Sequence, residues 1–303
     1  MIDVSIVIIS YNTRELTLAT LRGLPAACSG VTAEVIVVDN NSGDGSAEAI
    51  RAEFPHLDVV AGDTNLGFAR AVNLAAARAR GRYVLLVNPD TRADGPFVAE
   101  LVEAADKNPD AGIYGGRTVR EDGSDFLAGY GFPTLWAYVC FATMLSTLAR
   151  RSPLFNPEDL PRLDRSQTGP VPAISGCLFM VNRELFGHLG GFDPQYFMYC
   201  EDADLCLRAT RHGAQPILVP SARVVHLVGR SSSTSDRPGP GKVEMLLKGK
   251  ITFVDKNWSR PRARLGRFLL NTGVAVRALA RREPWRTVWR TRSTWKNGWP
   301  PVP

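Results

Sequence analysis

A pair of adjacent carboxylates, Glu201 and Asp202, stands at the start of a predicted helix, Ala203–Arg211. Carboxylates in the first turn of a helix are held ionised by the helix dipole and by free backbone N–H groups. An ionised carboxylate beside a hydroxyl group can remove its proton and so act as a general base. Capping of the helix is the alternative role. Three aromatic residues precede the pair, Tyr196, Phe197 and Tyr199. Their rings could form a surface on which the apolar face of a sugar lies.

A second candidate site is formed by Asp90 and His226, which each end an apolar, strand-like run. Asp90 closes the segment Asn88-Pro-Asp90, where its carboxylate could bind a hard divalent cation that neutralises a diphosphate. His226 is the candidate for a second ligand, and its alternative role is that of an ordinary histidine at a strand end. Arg230 follows in a segment that is predicted from its sequence to be flexible, and it could close over phosphate groups.

The elements that would position these residues alternate between strand and helix. Continuous apolar runs predict buried strands, and apolar residues three or four positions apart predict helices. The predicted strands are Val4–Ile9, Glu34–Asp39, Leu57–Ala61 and Tyr83–Val87, and the predicted helices are Thr13–Leu24, Gly45–Phe54 and Phe68–Arg80. This alternation predicts an α/β fold with a mostly parallel, Rossmann-like sheet and helices on both faces.

Short polar side chains follow each predicted strand, at the edge where open parallel sheets bind ligands. These exits are Ser10-Tyr-Asn12, Asp39–Gly45, Asn65–Phe68 and Asn88-Pro-Asp90. Each alone fits a turn or a helix cap, but together they indicate a ligand site. A dinucleotide site of the GxGxxG type is not indicated, because the first exit lacks the glycines that bring a pyrophosphate against the backbone.

Five ordered segments resemble the inverting glycosyltransferases of family two, which have the GT-A nucleotide-sugar fold. The segments are Ser5–Asn12, Val35–Ser46, Asn65–Asn73, Leu85–Asp90 and Phe197–Arg208, and the resemblance runs from about Asp3 to His226. The chain is most similar to bacterial rhamnosyltransferase-like members, in which the strand-end motif is Asn-Pro-Asp instead of Asp-x-Asp. Since Asn88 has no charge, metal binding would depend on Asp90.

The resemblance implies a role for each matching residue. Asp202 would be the catalytic base, Asp39 would bind the nucleotide base, and Asp90 and His226 would hold Mg²⁺ or Mn²⁺. The other residues on the nucleotide and phosphate side would be Ser10, Asn12, Asn65, Gly67, Arg70, Asn88 and Arg230. The residues on the acceptor and sugar side would be Gly176, Cys177 and Glu201.

The implied activity is transfer of a sugar from a nucleotide-diphosphate donor to a hydroxyl of a glycan or lipid-linked acceptor. The resemblance favours dTDP-rhamnose as the donor, with UDP-hexoses as the alternative. Metal-assisted, in-line displacement would invert the anomeric carbon. Two other functions stay open. A sugar nucleotidyltransferase is expected to carry a glycine- and basic-rich phosphate loop, which is absent after Val4–Ile9, and a non-catalytic nucleotide-binding scaffold would not need Asp202.

The charge distribution divides the chain into a body and a tail. We predict a catalytic domain over 1–230, with a nucleotide-binding half at about 1–117 and an acceptor half at about 118–230, and a basic helical tail over 241–303. Basic residues far outnumber the single acid, Glu283, between Trp258 and Trp299, a segment that also holds five of the six tryptophans. This composition predicts contact with an anionic membrane surface. Packing of the tail on the body is the alternative. Nucleic acid is not the expected partner, because no recognised nucleic-acid-binding fold accompanies the tail.

The cellular location is indicated by the cysteines and by the apolar segments. The cysteines are odd in number and include no CxxC pair, which favours reduced thiols in the cytoplasm over disulfides or a zinc site. The N-terminal residues lack the features of an export signal. The apolar segment Leu135–Leu148 is too short to cross a bilayer and predicts a helix that lies on another surface. We therefore expect a cytoplasmic protein at the inner face of the plasma membrane.

Overall fold

The computed structural model describes residues 1–126, 128–160, 164, 166–227, 239–280 and 283–302. The strands are β1 Val4–Ser10, β2 Ala33–Asp39, β3 Asp58–Ala61, β4 Tyr83–Val87, β5 Thr91–Ala93, β6 Ile113–Val119, β7 Gly129–Tyr130, β8 Gly169–Pro170, β9 Ala173–Ile174, β10 Leu178–Asn182 and β11 Ile217–His226. The helices are α1 Arg14–Ala27, α2 Ser46–Glu53, α3 Phe68–Ala76, α4 Phe97–Lys107, α5 Leu135–Ala142, α6 Leu145–Leu148, α7 Arg183–His188, α8 Glu201–Arg211, α9 Pro240–Asn257, α10 Arg260–Leu279, α11 Trp285–Arg290 and α12 Arg292–Trp295.

The central sheet has the strand order β3-β2-β1-β4-β10-β6-β11-β5, and β8 pairs with β11 outside this path. Strands β3, β2, β1 and β4 are parallel to their neighbours, as are β6 and β11. Strand β10 runs antiparallel between β4 and β6. The carboxyl ends of β1, β2 and β4 therefore meet at one edge, and the prediction of a mostly parallel α/β sheet is confirmed.

Each face of the sheet carries its own hydrophobic core, because successive side chains of a strand point to opposite faces. Ile6 and Ile8 of β1 belong to the core that also contains apolar residues of α1, α2 and α4. Val7, between them, belongs to the core on the other face, together with residues of α3 and α8. The predicted placement of helices on both faces follows from this alternation.

Two predicted helices differ from the observed ones. Helix α3 ends at Ala76 instead of Arg80. The backbone N–H of Arg80 is drawn to the carboxylate of Glu34, at 2.7 Å, and this bond directs the chain towards β4. The predicted helix Leu135–Leu148 is divided into α5 and α6 by Met144, which has a left-handed φ of 66°.

The basic tail folds back onto the rest of the chain. Leu270 and Val274 of α10 are buried in the same core cluster as residues of β1 and α8. A Cβ atom on Gly273 would lie 2.3 Å from the ring of Phe141, so this glycine allows α10 to approach α5 closely. The segment predicted to lie on another surface, α5, therefore packs against the tail itself. Within the described ranges, no helix is both long enough and apolar enough to span a bilayer.

Burial changes the expected role of the tail tryptophans. Trp295 is fully buried, and Trp299 is 8% exposed. The indole N–H of Trp299 donates to the carbonyl of Met198 at 3.2 Å, and its ring lies 5.4 Å from the ring of Phe197. The last tryptophan of the tail therefore supports the loop that precedes α8 instead of facing outward.

Candidate active site

Asn40 joins three polar loops at the carboxyl edge of the sheet. Its backbone N–H donates to the carbonyl of Ser10 at 2.8 Å, and its side-chain amide donates to Oδ1 of Asn65 at 2.9 Å. Its own Oδ1 accepts from the backbone of Leu66 at 2.8 Å. The predicted exits of β1, β2 and β3 are thus held together as one wall. Asn40 was not predicted as a site residue, and its only sequence signal is its position after Asp39.

Asp39 ends β2 with its carboxylate buried at this wall. Oδ1 accepts a hydrogen bond from the backbone N–H of Ser42 at 2.9 Å. Oδ2 is buried and has no hydrogen-bond partner among the residues that the structure describes. A buried acceptor that lacks a donor is costly. This oxygen is therefore available to a ligand N–H group.

The exit of β1 contributes to the site mainly through its backbone and Asn12. The hydroxyl of Ser10 is buried and lies 3.1 Å from that of Thr17, so it does not face a ligand. Asn12 has a left-handed φ of 53°. Its Oδ1 accepts from the backbone of Gly43 at 2.8 Å, and its backbone N–H donates to Oγ of Ser42 at 2.9 Å. Asn12 therefore fixes the loop that follows Asp39.

The start of α3 is packed against the loop that precedes α8. The backbone N–H of Phe68 donates to the carbonyl of Phe197 at 2.7 Å. A Cβ atom on Gly67 would lie 2.4 Å from that same oxygen, and Gly67 has a φ of 77°. Arg70, predicted to lie near the phosphates, donates from Nε to the carbonyl of Pro194 at 3.1 Å. Gly67 and Arg70 thus position the loop that leads to Asp202.

Asp202 is held at the start of α8 by three hydrogen bonds. Its Oδ1 accepts from the hydroxyl of Tyr130 at 2.5 Å and from the backbone of Ala203 at 2.8 Å. Its Oδ2 accepts from the backbone N–H of Gly176 at 2.9 Å. Tyr130 was not predicted as a site residue, because nothing in its local sequence distinguishes it from other strand tyrosines.

Both carboxyl groups of the pair have raised pKa values, whereas the start of a helix was expected to keep them ionised. Burial raises the pKa of Asp202, although the hydrogen bonds from Tyr130 and Gly176 oppose this rise. Burial and the neighbouring Asp202 raise the pKa of Glu201 well above its usual range. Burial and Asp202 also raise the pKa of Tyr130, so its hydroxyl stays protonated and donates. A carboxylate with a raised pKa is a stronger proton acceptor once it is ionised.

The third acid of this segment, Asp204, has a structural role. Its Oδ2 lies 2.8 Å from Nε of Arg208, and its Oδ1 accepts from the amide of Asn257 at 2.9 Å. Arg208 also donates to the carbonyl of Gly191 at 2.9 Å. Tyr196, predicted to form part of a substrate wall, is instead fully buried, with its hydroxyl 3.4 Å from Asp204.

Asp90 and His226 are brought together by strand pairing. Thr91 of β5 pairs with His226 of β11, and the backbone N–H of Leu227 donates to the carbonyl of Asp90 at 2.8 Å. Nε2 of His226 lies 3.3 Å from Oδ1 of Asp90, and both side chains are buried. The ring of Phe126 stacks on the imidazole at 4.9 Å.

This pair fits part of a divalent metal site. Carboxylate and imidazole are both ligands of Mn²⁺, and Mg²⁺ accepts carboxylate. Nδ1 of His226 is buried without a hydrogen-bond partner in the described part of the chain. No cluster of three or more His, Cys, Asp or Glu side chains suited to a metal occurs among the described residues. Such a site would therefore depend on further oxygen ligands from a substrate or from water.

The segment Gly176-Cys177 connects the two parts of the site. The carbonyl of Cys177 accepts from the backbone N–H of Asn88 at 3.0 Å, beside Asp90. The preceding residue, Gly176, donates to Asp202. Burial raises the pKa of the Cys177 thiol well above its usual value, so this thiol is protonated and unreactive. Arg230, predicted to close over phosphates, lies outside the described residues.

Comparison with known proteins gives one family and several relatives. The model of "Glycosyl transferase family 2" matches residues 5–190. The "N-acetylglucosaminyl-diphospho-decaprenol L-rhamnosyltransferase" of Mycobacterium tuberculosis is 31% identical over 255 residues, which cover 80% of this chain and 81% of that protein. The "Rhamnosyltransferase WbbL" of Escherichia coli is 25% identical over 201 residues, which cover 63% of this chain and 72% of that protein.

Solved structures with the same fold include a mannosyltransferase from Pyrobaculum calidifontis, determined in complex with GDP-Man and Mn²⁺. The match has a TM-score of 0.58 at 18% sequence identity, and it covers 96% of this chain and 79% of that chain. At this identity the likeness concerns the fold.

Proposed function

Since this chain belongs to glycosyl transferase family 2, we propose that it moves a sugar from a nucleoside diphosphate to an acceptor hydroxyl with inversion at the anomeric carbon. The predicted family, GT-A fold and glycosyltransferase activity are confirmed by the family match, the rhamnosyltransferase relatives and the shared fold. The proposal concerns the donor, the acceptor, the metal and the stereochemical course.

The observation that carries the mechanism is the link through Gly176 and Cys177. These two residues make backbone hydrogen bonds to Asp202 on one side and to Asn88 on the other. The candidate base and the strand end that leads to Asp90 are therefore attached to one short segment of chain. A sugar that lies across this segment would have its acceptor side near Asp202 and its diphosphate side near Asp90.

Asp202 is proposed as the general base. As the acceptor oxygen bonds to the anomeric carbon, its proton passes to the carboxylate of Asp202. The bond from that carbon to the diphosphate breaks, and its electron pair leaves with the diphosphate. Attack from the side opposite the leaving group inverts the configuration. Tyr130 and the backbone of Gly176 hold both carboxylate oxygens, so the base keeps one orientation during the step.

Asp90 and His226 are proposed to hold Mg²⁺ or Mn²⁺. When bound, the cation would neutralise the negative charge that the leaving diphosphate gains. The buried carboxylate and imidazole, 3.3 Å apart, support this assignment. The other ligand positions would be filled by phosphate oxygens and water.

The proposed donor is dTDP-rhamnose, with UDP-hexoses as the alternative. The relatives named as rhamnosyltransferases favour rhamnose. Thymine and uracil both carry an imide N–H, which suits the buried Oδ2 of Asp39 that has no donor among the described residues. Asn12 and the loop that it fixes would lie beside the ribose.

The proposed acceptor is a lipid-linked glycan. The name of the mycobacterial relative includes a decaprenol-linked sugar. A cavity of about 190 Å³ lies between α5, α9, α10, α11 and the segment 155–159, and its lining combines apolar residues with the Glu158–Lys250 ion pair. Apolar residues that line it include Phe141, Phe155, Leu247, Leu270 and Trp285. The apolar part of this lining suits a short stretch of hydrocarbon and supports an acceptor that carries one.

Calorimetric titration with dTDP, UDP and GDP, each with and without Mn²⁺ or Mg²⁺, tests the donor. Metal-enhanced binding of dTDP or UDP is expected. Binding of GDP alone would contradict the proposed donor. The anomeric configuration of the product, read by NMR from a lipid-linked acceptor analogue, tests inversion. Retention of the donor configuration would overturn the direct displacement mechanism.

A further inference from the structure

Helix α10 has two apolar faces, of which only one is covered. The covered face packs against α5 and the core, and its buried residues are Ala263, Gly266, Leu270, Gly273, Val274 and Arg277. On the other side, Leu265, Phe268 and Leu279 are 45%, 64% and 82% exposed. A helix in a water-soluble domain usually keeps a polar outer face. Three exposed large apolar side chains on the outer face of α10 are therefore unusual for such a helix.

The exposed apolar residues form one stripe. With about 3.6 residues per turn, positions three and eleven residues apart return to nearly the same side of a helix. Leu265, Phe268 and Leu279 have this spacing, and the stripe lies opposite the covered face.

Arginines border the stripe, and α10 contains no acidic residue. Arg260, Arg262 and Arg264 are exposed near the N-terminal end of the helix. On a helical projection Arg264 lies on one side of the stripe and Arg262 on the other. The combination of an apolar stripe with cationic borders is typical of helices that lie in the plane of a membrane interface.

We propose that the stripe of Leu265, Phe268 and Leu279 docks α10 onto the surface of a bilayer that contains anionic lipids. The apolar side chains would enter the boundary between headgroups and acyl chains, and the bordering arginines would bind lipid phosphates. The proposal does not depend on the identity of the donor or acceptor. It differs from the sequence expectation in assigning the contact to α10, because Trp295 and Trp299 are buried.

Charge favours a lipid surface over a second copy of the chain as the partner. Two copies of α10 that paired along the stripe would bring arginine borders together without an acidic residue on the helix to balance them. Like charges at such short separations repel each other. An anionic lipid surface complements the same arginines.

Co-sedimentation of the full chain with vesicles tests the proposal. We compare phosphatidylcholine vesicles with vesicles that also contain phosphatidylglycerol. The full chain is expected to bind the anionic vesicles at least tenfold more strongly. Removal of two charges in Arg260→Gln/Arg264→Gln is expected to weaken this binding roughly tenfold or more. Phe268→Ser, which removes apolar surface from the interface, is expected to weaken it by about tenfold.

The matched control removes two exposed charges elsewhere, in Arg51→Gln/Lys107→Gln, and is expected to bind as the unaltered chain does. Melting temperatures establish that the variants are folded, and the charge variant still tests the proposal if Phe268→Ser does not fold. Equal binding to both vesicle types, or α10 variants that bind like the control, would overturn it. A dimer that Phe268→Ser dissociates, without vesicle binding, would assign the stripe to a second copy and also overturn it.

Discussion

The hydroxyl of Tyr130 donates a hydrogen bond of 2.5 Å to Oδ1 of Asp202, and this bond joins the short strand β7 to the first turn of α8. The second carboxylate oxygen accepts from the backbone of Gly176. Hydrogen bonds to a carboxylate stabilise its charged form, whereas burial destabilises it. Tyr130 therefore counteracts the burial that raises the pKa of Asp202.

Loss of this hydroxyl in Tyr130→Phe is expected to raise the pKa of Asp202 further. The base must be ionised to accept a proton, so the acidic limb of the pH–rate profile should move upward by about one to two pH units. Turnover near neutral pH should fall and recover partly at higher pH. The matched control is Tyr83→Phe, which removes a hydroxyl that donates to Asp106 at 3.0 Å outside the site. A lower maximal rate without a shift of the acidic limb along the pH axis would contradict the role of Tyr130.

Asp90→Asn is expected to abolish most of the enhancement that Mn²⁺ or Mg²⁺ gives to nucleotide binding. The amide keeps the size of the side chain but removes the charge that a divalent cation requires. Calorimetric titration of the nucleotide at several metal concentrations measures this effect. Asp110→Asn, at an exposed position, is the control. Undiminished metal enhancement in Asp90→Asn would remove Asp90 from the metal site.

Gly67→Ala tests the contact between α3 and the loop before α8. The added methyl group would lie 2.4 Å from the carbonyl of Phe197, at a left-handed φ of 77°. We expect a loss of about 1–3 kcal/mol in the free energy of unfolding, together with reduced activity. Gly187→Ala is the control, because a Cβ there meets no atom within 4 Å and the backbone is helical. Equal free energies of unfolding for the two variants, measured with denaturant, would contradict the prediction, because the loop would then have moved to accept the added methyl group.

Glu201→Gln tests the burial of the carboxylate pair through the pH dependence of stability. The pKa of Glu201 is raised in the folded chain above its ordinary value of 4.5, so the folded state binds more protons than the unfolded state above that pH. Stability should therefore fall as the pH rises above about 4.5. The glutamine variant lacks this term, so its melting temperature should rise relative to the unaltered chain over this range. Exposed Glu121→Gln should follow the unaltered chain, and identical slopes for all three proteins would contradict the prediction.

The sequence predicted those parts of the site that depend on local pattern. Apolar runs located β1, β2 and β4, and the polar residues that follow them, such as Asp39 and Asp90, lie at one edge because the strands are parallel. The pairing of Asp90 with His226 was also anticipated. It required the antiparallel contact between β5 and β11, which no local pattern of residues indicates.

Contacts between distant segments could not be predicted. Tyr130 is 72 positions from Asp202, and only the fold brings the two together. Asp204 lies two positions after Asp202 in the sequence, and only the fold shows that it is bonded to Arg208 and Asn257. Trp295 and Trp299 resembled interfacial residues because composition does not reveal which side of a helix the core covers. In each case the decisive partner comes from another element of the chain.

The central claim is that Asp202 is the base, and single-turnover sugar transfer by Asp202→Asn tests it most directly. Asparagine keeps the shape of the side chain but cannot take the acceptor proton, so the transfer rate should fall by roughly 10²–10⁴. Nucleotide affinity should be unchanged, because Asp202 lies on the acceptor side. Asp204→Asn is the contrasting variant, expected to lose about 1.5–3 kcal/mol of stability through its bond to Arg208. A transfer rate in folded Asp202→Asn equal to that of the unaltered chain would contradict the mechanism.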